Sequence, residues 1–404
     1  TLDTLRRVLQ QLDGVTAPAT AWESDILPAR LANYDPAWLD QLCISGHSSW
    51  GRILQPREGG GRAGPVKGTP LNLVQRRNLD LWQSLAVGED SAGAAGARSL
   101  PPPVAVPRKP ETAASAQMVY KPELPQETES CLGSAAALIS TLLQQQGACF
   151  FTDLVRLSGL LAVQVEQALA ELVSAGLVTS DSFTGLRALL TPDSHKPKEG
   201  RHERRRAIYG IEDAGRWSLL QSASPQEADS SLNDEQLERL IGIYLQRWGV
   251  LNRRVLEREQ SAPPWRRLLL KLRRMELRGD LRGGRFINGV GGEQFAHADT
   301  VTALRKQQKR WQEQQDSATP HSPQRIVLNA TDPLNLLGTL LPEKRVPHLS
   351  GNRILFEDGV PVAVLEKDEV RHLRNGSAEQ QWELQQLLQR RHFPPRLRAY
   401  LGKV

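Results

Sequence analysis

Arg266, Arg267, Lys271, Arg273, Arg274, Arg278, Arg282 and Arg285 fall within twenty residues, with Trp265 and Phe286 interleaved. On a helix, positions 267, 271, 274 and 278 share one face. A row of cations at that spacing suits phosphate oxygens, which give affinity without sequence choice. The plain alternative is a solvated face neutralised by Glu257, Glu259 and Glu276. A second constellation is Gln11-Leu12-Asp13. A carboxylate beside an amide, near a basic groove, can stabilise a cationic sugar and orient water, as cleavage of an N-glycosidic bond demands. Its plain alternative is an exposed helix end, because Asp13-Gly14 is a good C-terminal stop. Glu23 and Asp35 are the next acids to consider.

Other chemistries lack their residues. There is no GxxxxGK[ST] and no DExH, so the chain cannot hydrolyse ATP by the P-loop route. Its eight histidines show neither HExxH nor paired spacing. There is no GxSxG, and Gly289-Val-Gly-Gly292 fits no dinucleotide fingerprint. No cofactor and no metal are expected in this chain.

A length of 404 residues suits two or three domains, and 39% apolar with 24% charged residues excludes wholesale disorder. No apolar run approaches the length of a membrane span. The opening Thr-Leu-Asp-Thr has no charged-then-apolar leader and no initiator Met, so a segment of a longer protein is expected. Cys43, Cys131 and Cys149 form no CxxC and cannot build a disulfide framework, which fits a reducing cytoplasm. The net charge is +6, but residues 241–310 hold 16 Lys+Arg against 6 Asp+Glu and the remainder is negative. Charge concentrated in this way is the footprint of a nucleic-acid-binding surface.

The elements that must position these residues follow from periodicity. Residues 1–55 read as three helices and a strand: Leu2, Leu5, Val8, Leu9 and Leu12 form one stripe, and Asp35-Pro36 opens a helix. Pro70–Leu85 reads as a return strand and a short element. Ala135–Gln146, Phe151–Ser158 and Leu161–Ala175 read as helices, followed by two strands, Leu177–Phe183 and Leu186–Leu190, around Thr184-Gly185. Helix–helix–helix–hairpin is the winged-helix pattern. It recurs with a helix from Asn233, a helix Pro264–Arg278 and a glycine-rich wing between Leu281–Asn288 and Gln294–Ala296, before a helix Ala298–Gln314. Arg325–Leu328, Asn352–Phe356 and Pro361–Glu366 read as strands, with Asp358-Gly359 a hairpin turn, and Glu379–Arg391 as a closing helix.

Several blocks resemble a known family. Trp22-Glu23, Leu27-Pro28-Ala29-Arg30, Tyr34–Asp40 and Trp50-Gly51-Arg52 resemble the C-terminal region of bacterial large helicase-related proteins. So do Pro264-Trp265-Arg266, Arg273-Arg274-Met275-Glu276, Arg282–Phe286, Gly292–Ala296, Ala330–Asn335, Gly351-Asn352-Arg353 and Asp358–Pro361. The resemblance implies a superfamily 2 DNA helicase whose ATP- and Mg-dependent motor lies N-terminal to this region. It further implies winged helices, a β-barrel-like module, homo-oligomers, and a fold similar to AlkZ-type DNA glycosylases. Those enzymes carry a Gln–aliphatic–Asp motif ahead of a stretch like Ala29-Arg30-Leu31, which makes Asp13 and Gln11 the implied catalytic pair. Uracil removal from DNA is the activity linked to family members.

The expectation is therefore a mainly α chain with small β content: tandem winged-helix modules, a small β-barrel-like module and a C-terminal helix. Its parts are residues 1–87, a winged-helix-like module; 88–128, a Pro/Ala/Gly-rich linker; 129–191, a winged helix; 192–232, a basic polar linker; 233–316, a basic winged helix; 317–375, the β module; and 376–404, the closing helix. DNA is the expected partner, met by Arg266, Arg267, Lys271, Arg274, Arg278, Arg282 and Arg285. The helicase core of the same chain and further copies of it are the other expected partners, with no membrane. A non-catalytic oligomerisation and docking platform is the alternative, with the basic segment as a subunit interface.

Overall fold

The computed structural model describes residues 1–54, 68–94, 132–191, 210–220, 232–316, 322–390 and 397. Four small antiparallel sheets lie within them, each packed with helices, so the chain is mixed α/β rather than mainly α. No helix among the described residues is long and apolar enough to cross a membrane.

The first unit runs α1 (Leu2–Gln11), β1 (Thr16–Pro18), a π-helical turn (Trp22–Ile26), α2 (Pro36–Ile44), β2 (Ser48–Gly51), β3 (Pro70–Gln75), a 3-10 turn (Arg76–Asn78) and α3 (Leu79–Ala94). The Thr1 hydroxyl caps α1 by accepting from the Thr4 N–H at 3.3 Å. Asp35 caps α2 by accepting from the Ala37 N–H at 3.0 Å, with Pro36 at the first helical position. Leu5, Leu9 and Leu12 bury the predicted stripe. The sheet order is β1-β3-β2. Between α1 and α2 there is no second α-helix, in contrast to the sequence expectation: Thr16–Pro18 pairs with β3, and the following turn is π-helical. α3 continues to Ala94, into the segment read as linker.

The second unit comprises α4 (Ser134–Gln146), β4 (Cys149–Phe150), α5 (Phe151–Ser158), α6 (Ala162–Ser174), β5 (Val178–Ser180), α7 (Thr184–Leu190) and β6 (Arg216–Leu219), in sheet order β4-β6-β5. The expected strand Leu186–Leu190 is the helix α7. Leu186 and Leu190 lie one helical turn apart, and both are buried. The strand that pairs with β5 is β6, inside the 192–232 segment read as a linker, and its Trp217 is buried in the core. First and second units share that core. Trp50 stands edge-on to Phe183 and Trp217, with centroids 5.9 and 6.3 Å away, and donates from its indole to Ser182 O at 3.1 Å. Gly176, at φ +74°, lies so close to Arg52 that a Cβ there would come within 2.6 Å of the Arg52 carbonyl oxygen.

The third unit has α8 (Asp234–Trp248), β7 (Val250–Leu251), α9 (Arg253–Leu256), α10 (Trp265–Arg278), β8 (Arg282–Gly284), β9 (Gln294–Ala296) and α11 (Ala298–Asp316), in sheet order β7-β9-β8. Its core is completed from the first unit by Ile53, Leu54, Val74, Leu81, Trp82 and Leu85. The fourth unit is a meander, β10 (Arg325–Asn329), β11 (Arg353–Glu357), β12 (Val360–Glu366) and β13 (Glu369–His372), followed by α12 (Ala378–Gln389). Ile354 and Val364 face one core, and Leu355, Ala363 and Leu365 face another under Leu388. The sheet is open, β10 and β13 forming its two edges, so the expected barrel-like closure is absent among the described residues. Phe393–Pro395, Cys131, most of the 56–69 loop and the Arg201–Arg206 run lie outside the described residues.

One guanidinium joins the first two units. Arg187, on α7, is fully buried, and all five of its N–H donors are used. Nε and Nη2 donate to the two carboxylate oxygens of Glu23 at 2.8 Å each, and Nη2 also to Pro36 O at 3.0 Å. Nη1 donates to Asp40 at 2.5 Å and to the Thr184 hydroxyl at 3.2 Å. The Tyr34 hydroxyl donates to Glu23 as well. Paired in this way the charges are tolerated, whereas removing one partner leaves the others buried without a counter-ion, at about 3–5 kcal/mol. Arg187→Leu should therefore lower the unfolding free energy by about that amount in urea titration. Arg187→Leu combined with Glu23→Gln should recover part of the loss. Equal midpoints for wild type and the single variant would refute the role.

Candidate functional site

The basic row on α10 divides into two sets. Lys271 is buried, and its Nζ lies 2.7 Å from both Asp234 and Glu238 on α8. Arg278 bonds Glu238 at 2.6 Å and Asp280 at 2.8 Å. Arg274 is 3.7 Å from Asp234, and Arg267 donates to Leu232 O. Of the face predicted for phosphates, Lys271 is thus sealed against α8, whereas Arg274 and Arg278 remain exposed while reaching Asp234 and Glu238. The neutralising acids are not the Glu257, Glu259 and Glu276 named from proximity in sequence. They are Asp234 and Glu238, which α8 brings across, with Asp280 beside Arg278.

The other set faces outward. Arg266, Arg282 and Arg285 are exposed and make no ion pair among the described residues. Arg282 sits on β8, and Arg285 in the wing that follows. Gln294 on β9, fully buried, holds that wing. Its Oε1 accepts from Phe286 N–H at 2.9 Å and Ile287 N–H at 2.8 Å, and its Nε2 donates to Ile287 O at 3.1 Å and Val290 O at 3.0 Å. Glu276 on α10 accepts from the Gly283 N–H at 3.0 Å, pinning β8. Trp265, Arg253 and Arg266 line a cavity of about 520 Å³. Exposed Arg305, Lys306 and Arg310 on α11 extend the cationic surface. Neither α11 nor Gln294 was singled out for function from sequence. The α11 cations lay within the charge excess of residues 241–310, whereas only geometry reveals the Gln294 clip.

The Gln11–Asp13 pair is separated by the fold. Gln11 is exposed, and Asp13 is fully buried. Asp13 Oδ1 accepts from the Gln75 N–H at 2.9 Å and the Trp82 indole at 3.0 Å, and Oδ2 from the Asn78 amide at 2.6 Å. Arg247 donates to the Asp13 carbonyl. Burial pushes the Asp13 carboxyl above the ordinary aspartate range, against the pull of those donors and of Arg247. Neither an open helix end nor a groove-lining acid describes it. Gly14, next in sequence, has φ +79°, and a Cβ there would lie 2.3 Å from the Trp82 ring. Glu23 is held by Arg187, and Asp35 caps α2, so both of the further acids have structural partners.

The α8–α10 ion cluster carries a pH signature. Arg278 and Lys271 draw the Glu238 carboxyl down to about 2 from its ordinary value near 4.5. A carboxyl lowered on folding stabilises above its unfolded pKa and loses that contribution as pH falls through the folded value. Stability should decline between about pH 4.5 and 2 on this account. Glu238→Gln should flatten that part of the curve, read as urea midpoint against pH, and an unchanged curve would sink the assignment.

Comparison with known proteins agrees with the geometry. A family model described as the large helicase-related protein winged-helix domain, third in order, matches residues 1–67, and the fourth matches residues 230–316. The chain is 29% identical over 361 residues to the Lhr helicase/uracil glycosylase of Escherichia coli (strain K12), which covers 84% of this chain and 20% of that protein. It is 29% identical over 391 residues to the Lhr helicase/probable uracil glycosylase of Mycolicibacterium smegmatis, covering 91% of this chain and 22% of that protein. The chain thus spans about a fifth of the length of these relatives. With matches to two winged-helix domain models of one family in one chain, and relatives of that family aligned across most of it, this chain is similar to the winged-helix region of the large helicase-related proteins.

Proposed function

We propose that this region binds DNA for a helicase-related protein, through the wing and outer surface of the third unit. The observation that carries the reading is the pair of exposed arginines, Arg282 and Arg285, without an ion pair among the described residues, on a wing that Gln294 holds in one shape. Arg266 and Trp265 at the neighbouring cavity add a cation and an aromatic face, the two components of a nucleic-acid contact. The three helix-and-sheet units are read as winged helices in tandem. The relatives are named helicases and this sequence holds no Walker motif, which supports reading a motor segment that uses ATP and Mg as the partner of this region, together with DNA. A homo-oligomeric docking platform would show little salt dependence in DNA affinity, whereas phosphate contacts give a steep one.

Replacing Arg266, Arg282 and Arg285 by Ala should weaken binding evenly across DNA sequences. The slope of log affinity against log salt should drop by about 0.9 per lost phosphate contact. Lys271→Ala should instead lower thermal stability and leave the slope in place. If the triple variant keeps the wild-type slope, the wing is not the DNA surface.

Base excision is a second reading, favoured by the uracil glycosylase named in both relatives and by a buried acid, Asp13, behind the wall of a cavity that Gly14 and Trp82 line. Because three donors converge on Asp13, Asp13→Ala should cost several kcal/mol of stability, at about 1–3 kcal/mol for each donor left unpaired. Urea unfolding alongside excision assays on uracil-containing oligonucleotides checks this. Excision that falls only with the folded fraction marks Asp13 as structural. Excision lost from fully folded protein marks it as part of the reaction.

A further inference from the structure

A cavity of about 350 Å³ lies where the first, third and fourth units meet. Its walls include Thr16–Pro18 of β1, Arg247 and Trp248 of α8, Arg258 and Glu259 of the segment after α9, and Thr331, Arg345 and His348 of the fourth unit. The charges in it are unequally satisfied. Glu259 is taken by Arg247 and by the Trp248 indole, which donates to it at 2.6 Å. Asp332, nearby, is taken by the two Nη groups of Arg30 at 2.6 and 2.9 Å. Arg258 and Arg345 make no ion pair among the described residues. Arg258 donates from Nη1 to His348 Nε2, which fixes that imidazole as a neutral acceptor, and its own buried Nε has no acceptor. The remaining acidic lining residue, Glu257, is exposed, as are Arg345 and His348 at the mouth of the cavity, whereas Arg258 is half-buried.

The lining therefore carries Arg258 and Arg345 against Glu257, one positive charge in excess, with a neutral imidazole bonded to Arg258. Burial and Arg345 bring Arg258 down to about 10, and partial burial with Arg258 and Arg345 brings His348 down to about 4. Arg258 and Arg345 line one cavity with His348, while Glu259 and Asp332, already paired to Arg247 and Arg30, reach Arg258 only through longer-range attraction. A phosphate supplies the charge and the oxygens that such guanidinium groups take up.

We infer that this junction cavity binds a phosphate group between Arg258 and Arg345, with His348 beside it. A bound phosphate would neutralise the excess charge and tie the third and fourth units together at one point. The source of the phosphate is either the nucleic-acid backbone, in which case the inference deepens the DNA-binding reading above, or free phosphate. Both sources offer the same oxyanion to the same two arginines.

The test uses the whole chain, with Arg258→Gln and Arg345→Gln made singly and together, and inorganic phosphate as probe against chloride at matched ionic strength. Wild type should melt at a higher temperature as phosphate rises, and the double variant should not. In phosphate-free buffer the variants should be as stable as wild type or more so, since each removes a like charge. If DNA competes with phosphate and the double variant lowers the salt slope of DNA binding, the source is the backbone. If phosphate stabilises wild type but DNA neither competes nor loses affinity in the variant, the site takes free phosphate. Wild type that gains nothing from phosphate, together with variants that bind DNA like wild type, overturns the inference. The wing triple variant keeps the two ideas apart: it should still respond to phosphate even if it binds DNA normally and the DNA-binding reading fails.

Discussion

Arg187 is a charge in a place where charges are costly, and the arrangement of the chain follows from what surrounds it. A fully buried guanidinium must find five acceptors in its own plane. Here those acceptors come from the π turn, the start of α2 and α7. The π turn matters because its wider winding presents Glu23 inward, while its neighbours Asp25 and Arg30 face the fourth unit. Asp25 lies 3.7 Å from Arg353, and Arg30 grips Asp332. A single nine-residue stretch, Trp22–Arg30, thus fastens the second unit on one side and the fourth on the other. The third unit is held differently, by apolar residues around Trp82 and by the contact of Arg247 with the Asp13 carbonyl. Ionic clips fix the angles of two units, and an apolar seam fixes the third.

This arrangement sorts the cations of the basic segment. α8 and α10 pack through their apolar stripes, and the same packing draws Lys271 against Asp234 and Glu238, so one cation of the row becomes cement between helices. The wing, the start of α10 and α11 carry exposed cations with no such partners among the described residues. The densest run of cations in the chain is thus partly spent on the fold itself.

Much of this architecture is legible in the residues. The α1 stripe, the caps at Asp35 and Asn233, and the Asp358-Gly359 turn all stand where periodicity and turn chemistry put them. What failed were features decided at long range. Leu186–Leu190 fits a strand and a helix equally well by its apolar spacing, and the choice falls to Arg187 reaching Glu23, 164 residues away in sequence. The partner strand of β5 lies beyond a polar insertion, so its Trp217 resembled a stray apolar patch. Asp13 beside Gln11 suggested chemistry, yet β3 and α3 supply donors to one and leave the other in solvent. Spacing along the chain says which side chains share a face. It does not say what that face will meet.

The wing owes its shape to one side-chain amide. Gln294 offers two N–H donors to two carbonyls and one oxygen to two N–H groups, a pattern that only a carboxamide in one orientation supplies. Deamidation, a slow chemical ageing of proteins, would turn that nitrogen into a charged oxygen facing Ile287 O and Val290 O. The loop would then be pushed open from beneath while the apolar core stayed intact. An aged molecule of this kind would pass every test of folding and still have lost the surface that its arginines need.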